Sequence, residues 1–393
     1  MTATKTGTRA TSASRSRVRA PVPFLDLPAA YAELQAELDA TVRRVMASGR
    51  FILGPEVSAF EKEFAAYCQT AHAIGVGSGL DALRLILLGY GVGRGDEVAV
   101  PSHTFIATWL AVTQTGATPV PVEPEPATFN ITAEVVEAAI TPSTKAIIPV
   151  HLYGHPVDMD GIVALGRERG IAVIEDAAQA HGARYRARRA GCLADAAAFS
   201  FYPVKNLGAT GDAGAITTDD DALAERVRML RNYGSRIKYH HDLPGLNSRL
   251  DSLHAGMLRI KLRHLDEWNE RRRAVADLYA QRLGGIEGLA LPVAADWAEP
   301  VWHLFVVRHP QRRWLQERLS DAGVETIIHY PIPPHLTGAY AAAFKGVRLP
   351  VAERLGDEVL SLPIGPHLAL EDAERVAVAV RDALRVDRVR VSQ

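Results

Sequence analysis

Cysteine is nearly absent, with Cys68 and Cys192 the only two in 393 residues. That excludes a disulfide framework and a cysteine-built metal cluster, so no metal site is expected. Cys68 follows the helical-looking EFAAY and reads as core. Long apolar runs are lacking too: no stretch reaches about 18 apolar residues, and no membrane partner or membrane span is expected. The opening MTATKTGTRATSASRSRVRA has no apolar h-region of the secretory kind and reads as a disordered Ser/Thr/Arg-rich tail. An excess of one charge is missing as well. The formal net charge is −1, which gives nucleic acid no footing as a partner. What remains, 48% apolar and 23% charged, is the composition of an ordinary globular enzyme, long enough for about two domains at roughly 150 residues each, and with no signal peptide read the cytoplasm is the expected location.

Short apolar runs alternate with amphipathic helices between residues 70 and 220. The expected strands are HAIGV, DEVAVPS, TPVPVEP, AIIPVHLYG, IAVIEDAA, AAAFSFY and AGAITT. Helices are expected at LDALRLILLGY, AEVVEAAI, MDGIVALGRERG and ALAERVRMLRNYG. Such alternation calls for an α/β fold, a mostly parallel seven-stranded sheet between helices. Before it comes an entry arm over 21–60, with an extended PVPFLDL and a helix over YAELQAELDATVRRVMASG. After it a long charged helix from Asp251 to Gly284 leads to a smaller C-terminal α+β domain, which opens on the alternating VWHLFVVR and closes with LEDAERVAVAVRDALRV. The division expected is a tail over 1–20, arm and large domain over 21–265, and linking helix with small domain over 266–393.

Lys205 ends the run AAAFSFYPVK and opens a glycine-dotted loop, while Asp176 ends IAVIED. A lysine and a carboxylate just past the carboxyl ends of two sheet strands converge where α/β sheets bind ligands. Partial burial of a lysine is costly unless its charge is used or removed. The pair suits pyridoxal phosphate: the amine condenses with the aldehyde and the carboxylate keeps the pyridine nitrogen protonated. Gly77-Ser78-Gly79, between HAIGV and a helix, offers free N–H groups to the phosphate, although Ser78 is also an ordinary N-cap. Ser200, which alternation lets face either way, and Asn247 could add side-chain donors to the same phosphate. Phe105, past DEVAVP, either stacks on the ring or is core. Gln179 and His181 follow Asp176 closely enough to orient it or the cofactor's hydroxyl, and His151 and Tyr153 end another strand where they could line the pocket. The glycines of GYGVGRGD follow a helix rather than a strand and read as a helix stop, not a dinucleotide loop.

The segments EDAAQAHGA, FSFYPVKNLGATGDAGA, LRNYGSRIKYHH and GLNSRLDSLHAGMLRIKL resemble the DegT family of pyridoxal-phosphate-dependent nucleotide-sugar aminotransferases, in register from PFLDL to the C-terminal helix. The wording of the lysine, NYGSR and NSRLD segments is similar to the branch that aminates dTDP-3-keto-6-deoxyhexoses for antibiotic deoxyamino sugars. The resemblance implies a fold-type I homodimer with sites at the subunit interface, a dTDP-linked keto sugar as acceptor and L-glutamate as donor. It implies catalytic roles for Lys205 and Asp176, and contact of Gln179 with the ring hydroxyl. The phosphate falls to Gly77, Ser78, Gly79 and Ser200, with Asn247 reaching it from the neighbouring subunit, and Phe105 takes the stacking position. Tyr233, Lys238 and Tyr239 fall in the loop that meets the sugar pyrophosphate, and His329 and His335 in a segment bordering the substrate. Three positions depart from the pattern: Val204 where glycine is common, Thr210, and His254 where glutamine is common. A β-branched valine restricts the backbone beside the lysine. Amination at C4 and a non-catalytic cofactor-binding regulator are the alternative functions.

Overall fold

The computed structural model describes residues 20–391, so the tail expected over 1–20 lies outside the described residues except for Ala20. The side chain of Asp26 accepts the Ala29 N–H and, with Pro28 in the first turn, starts α1 (Leu27–Ser48) a turn before the expected helix. Gly49, at φ 64°, ends it. A second helix, α2 (Pro55–Cys68), completes the arm and buries Cys68 as core.

All seven expected strands form. β1 (His72–Val76), β2 (Glu97–Pro101), β3 (Thr118–Val122), β4 (Thr144–Ile147) and β5 (Ala172–Asp176) come first. The short β6 (Arg184–Tyr185) and β7 (Arg188–Arg189) make a side ribbon, and β8 (Ala196–Ser200) and β9 (Gly214–Thr218) return to the main sheet. Its order is β1-β9-β8-β5-β4-β2-β3, parallel throughout except for β9, which runs against both neighbours. Alternate residues feed two cores. Ala99, Ile147, Val173 and Phe199 face one layer; Val98, Val100, Ile174 and Ala198 face the other. Pro119 and Pro121, which cannot donate to a ladder, fit because β3 is an edge strand. At the opposite edge Glu61 accepts the Gly75 N–H and Arg231 donates to the Gly75 carbonyl, closing β1 to further pairing. β4 is shorter than expected because Pro149 has no N–H to continue it; only Val150 bridges onward, to Asp176.

Helices α3 (Gly79–Gly89), α4 (Ala107–Thr115), α5 (Ala133–Ala139), α6 (Met159–Arg169) and α7 (Asp221–Leu230) cover the sheet. The linking helix α8 (Ser252–Leu283) is continuous, capped by Asp251. Leu34 and Leu38 of α1 pack on its Ile260 and Trp268. Beyond it, Ala298–Glu299 (β10) joins the side ribbon, and Phe305–Arg308 (β11) pairs antiparallel with Val359–Leu362 (β12). α9 (Arg312–Asp321), α10 (Pro350–Glu358) and α11 (Leu370–Val391) complete the small domain. Its core includes Val22 of the arm, which bridges Val324. None of the described helices is long and apolar enough to cross a membrane.

Candidate active site

Because β1, β2, β4, β5 and β8 point the same way, the turns after them share the carboxyl edge of the sheet. Asp176, the last residue of β5, is buried. Thr108, in the first turn of α4, donates to its Oδ2 at 2.8 Å, and the Ala178 N–H reaches Oδ1 at 3.2 Å. Burial pushes the carboxyl up from its usual range, while both hydrogen bonds and the charge of Lys205 pull it back.

Lys205 sits in the loop leaving β8, half-buried, with its N–H on the Tyr202 carbonyl at 2.9 Å. The loop closes tightly at Gly208, where a Cβ would lie 2.3 Å from the Pro203 carbonyl oxygen. Burial brings the Lys205 ammonium down to about 8, against the upward pull of Asp176. Val204, beside the lysine, has its side chain at the surface. Thr210 contacts Met257, and His254 lies against Gly211 and 2.8 Å from Asp251.

At the turn after β1, Ser78 caps α3 by accepting the Asp81 N–H, so the ordinary cap exists. The cap does not use up the turn: Gly79 and Leu80 begin the helix and have no intrahelical acceptor for their N–H groups. A Cβ on Gly79 would lie 2.6 Å from the Ser200 Cβ, and one on Gly214 2.5 Å from the Ser78 carbonyl. The helix start, Ser200 and β9 are therefore in contact. Ser248 fixes the turn through the Gly77 N–H, and its neighbour Asn247 is exposed.

Phe105 is not core: it is 53% exposed, its ring 5.5 Å from that of Tyr330. Gln179 accepts the Tyr153 N–H at 2.6 Å and donates to the Tyr330 hydroxyl at 3.0 Å. His329 lies beside Phe24, and burial, then the charge of Lys205, brings its imidazole down to about 4. Tyr233, Lys238 and Tyr239 lie on an exposed loop, the Lys238 ammonium over the Tyr239 ring.

Four expected pocket residues are turned elsewhere. His151 is wholly buried, its ring nitrogens engaged by Glu175 and by the Val157 N–H. The Tyr153 hydroxyl is taken by His103 and the His329 carbonyl. His181 stands between Phe199 and Phe201, on the face of β8 opposite Ser200, and burial, then Lys205, takes it down to about 3. His335 is buried against Glu353 of α10. Each follows the strand or turn where it was expected, but the side chain points into the packed interior.

Thr108, Tyr330, Asn206 and His303 were not anticipated. The IIHYP run holds Tyr330 beside His329, and Thr108 stands one turn beyond Phe105; no local signal marks the other two. A buried carboxylate, a lysine of lowered basicity, an exposed aromatic face and a helix start with open N–H groups fit a flat cationic heterocycle bearing a phosphate, as pyridoxal phosphate is.

A model of the DegT/DnrJ/EryC1/StrS aminotransferase family matches residues 32–381. The chain is 58% identical over 376 residues to dTDP-3-amino-3,4,6-trideoxy-alpha-D-glucose transaminase of Streptomyces venezuelae, spanning 95% of this chain and 99% of that protein. It superposes on the crystal structure of S. venezuelae DesV with a TM-score of 0.91 at 57% identity, over 93% of this chain and 99% of that one. NtdA of Bacillus subtilis, solved with bound cofactor PMP, matches with a TM-score of 0.88 at 32% identity, over 95% of this chain and 87% of that one.

Proposed function

Given that the chain belongs to the DegT/DnrJ/EryC1/StrS aminotransferase family, we propose that it moves an amino group from L-glutamate to C3 of a dTDP-linked 3-keto-6-deoxyhexose, in the making of an antibiotic deoxyamino sugar. It is a sugar aminotransferase that works with pyridoxal phosphate. The observation that carries the reading is Lys205, half-buried and shifted to about 8, within electrostatic reach of the buried Asp176 at the sheet's carboxyl edge. The preference for C3 is supported by the likeness to the 3-amino transaminase of S. venezuelae.

The bound cofactor supplies an aldehyde that takes up amines and a ring that accepts electrons from the carbon beside the nitrogen. Lys205 would hold that aldehyde, and its neutral amine would serve as the general base and acid that moves a proton from the donor's α-carbon. Asp176 would hold the protonated ring nitrogen, whose positive charge would offset the cost of burying an ionised carboxylate. Thr108 and the Ala178 N–H keep its two oxygens oriented. Gly77, Ser78 and Gly79 with Ser200 would hold the phosphate, Phe105 would cover the ring, and Gln179 with Tyr330 would border the ring hydroxyl. Tyr233, Lys238 and Tyr239 meet the nucleotide-sugar pyrophosphate, with His329 at the sugar. Asn247 completes the phosphate site of a second subunit. Exposed Phe51, Ile52, Tyr202, Tyr233, Ile237 and Tyr239 support that homodimer. The large domain is taken to end near residue 265, within α8, and the enzyme to work in the cytoplasm.

The test is amination of a panel of dTDP-keto sugars with L-glutamate, the position of the new nitrogen read by NMR. Nitrogen at C3 is expected. Nitrogen at C4, or no amination with cofactor bound, would overturn the reading.

A further inference from the structure

The residue after the lysine has its carboxamide wholly engaged. Asn206 Nδ2 donates to Asn269 Oδ1 of α8 at 2.9 Å and to the Val301 carbonyl at 3.0 Å, and its Oδ1 lies 3.1 Å from His303 Nδ1. Turning the amide over would set its oxygen against two other oxygens, so its orientation is determined, and His303 must carry its hydrogen on Nδ1. Asn269 in turn donates to the His181 carbonyl at 2.9 Å, in the loop that follows Asp176. Arg272, one turn along α8, donates to the carbonyls of Trp302, His303 and Ile364. Asn206, Asn269, Arg272 and His303 are all at most 6% exposed.

We propose that Asn206, Asn269 and His303 form a buried strut through which α8 and the small domain set the direction of the Lys205 amine, His303 being a positioning residue of the transamination. Three segments meet there: the loop after β5, the lysine loop and the entry to β11. Elsewhere the small domain touches the site through the His329–Tyr330 segment, which borders the ring and substrate; the strut fixes the backbone one bond from Lys205. Burial, and then the charge of Lys205, keeps the imidazole neutral, so the Nδ1–H bond is made without a second cation beside the amine. Misplacing a reacting group by about 1 Å costs roughly 100-fold in rate, which is the scale expected when the strut is cut.

The inference rests on the assignment of Lys205 as the proton-moving amine, and isosteric variants of the cofactor-loaded enzyme test it. Asparagine places a donor where Nδ1 stands; glutamine places it near Nε2; leucine has none. With saturating L-glutamate, decay of the visible cofactor band is expected to stay close to wild type in His303→Asn. It should slow by about 100-fold in His303→Gln and His303→Leu, with the KM for glutamate little changed and His303→Gln unfolding at the same temperature as His303→Asn. If His303→Leu does not fold, the asparagine and glutamine pair decides alone. Equal rates in that pair, a change confined to KM, or losses that follow Tm would overturn the strut. A wild-type enzyme indifferent to glutamate would instead overturn the donor assignment. The same variants are then ranked by the rate at which cofactor-stripped protein regains its band with pyridoxal phosphate, a readout of Lys205 alone, with the same order expected and equal rates overturning the strut.

Discussion

Lys205 and Asp176 were legible because each ends an apolar run, and the end of a sheet strand is a place with few alternatives. The direction of a side chain was not legible where it depends on distant partners: His151 and His181 follow strands as expected, yet Glu175 claims one and two phenylalanines enclose the other. Lys205→Ala should abolish transamination and the visible cofactor band while the fold persists; borohydride-reducible cofactor retained in that variant would contradict the assignment. The lowered basicity of Lys205 has a sign that can be checked in cofactor-stripped protein. Only the neutral amine attacks an aldehyde, so capture of pyridoxal phosphate should quicken as pH rises and level off above about 8. A rate still climbing toward pH 10 would mean an ordinary lysine. Asp176→Asn keeps size and loses charge, and turnover should fall by about 100- to 1,000-fold, the range typical of groups that stabilise developing charge, with a much smaller loss of cofactor affinity. Near-normal turnover in steady-state kinetics would remove Asp176 from the role.

At the scale of elements, the seven strands were readable from apolar runs punctuated by turns, and the order of the sheet from none of them. β9 inserts between β1 and β8 although both are earlier in the chain, a pairing that no local pattern announces. α4 escaped notice because nine residues, including three threonines and a valine, carry little helical periodicity. Its loss from the expectation also hid Thr108. The contact of β9 with the turn after β1, the proposed phosphate site, makes a prediction about an element that bears no catalytic group. Gly214→Ala places a Cβ 2.5 Å from the Ser78 carbonyl, a backbone neighbour that cannot swing aside. Overpacking of this kind costs about 1–3 kcal/mol. The expected result is weaker cofactor binding in equilibrium titration together with a lower Tm. Unchanged affinity would show that the turn does not hold the phosphate.

At the scale of the molecule, the proposed sharing of the site between subunits, supported by exposed apolar side chains and the exposed Asn247, is tested by subunit mixing. Asn247→Ala and Lys205→Ala proteins, each impaired alone, should regain activity when mixed, because one site of each hybrid dimer keeps both native residues while the other carries both lesions. Full activity in a protein that light scattering finds monomeric, or no recovery after verified exchange, would reject the shared site.

The pairing of Val22 with Val324, in one core with Val376 and Val380, has a consequence for how the chain is made. The strands of the main sheet all lie before residue 219 and can assemble while the rest is still emerging from the ribosome. The small domain cannot: its core needs an early segment and the last helix together. During synthesis the arm must wait, its valine uncovered, until translation is almost complete, and a chain stopped short of residue 370 would keep that surface open to chaperones and proteases.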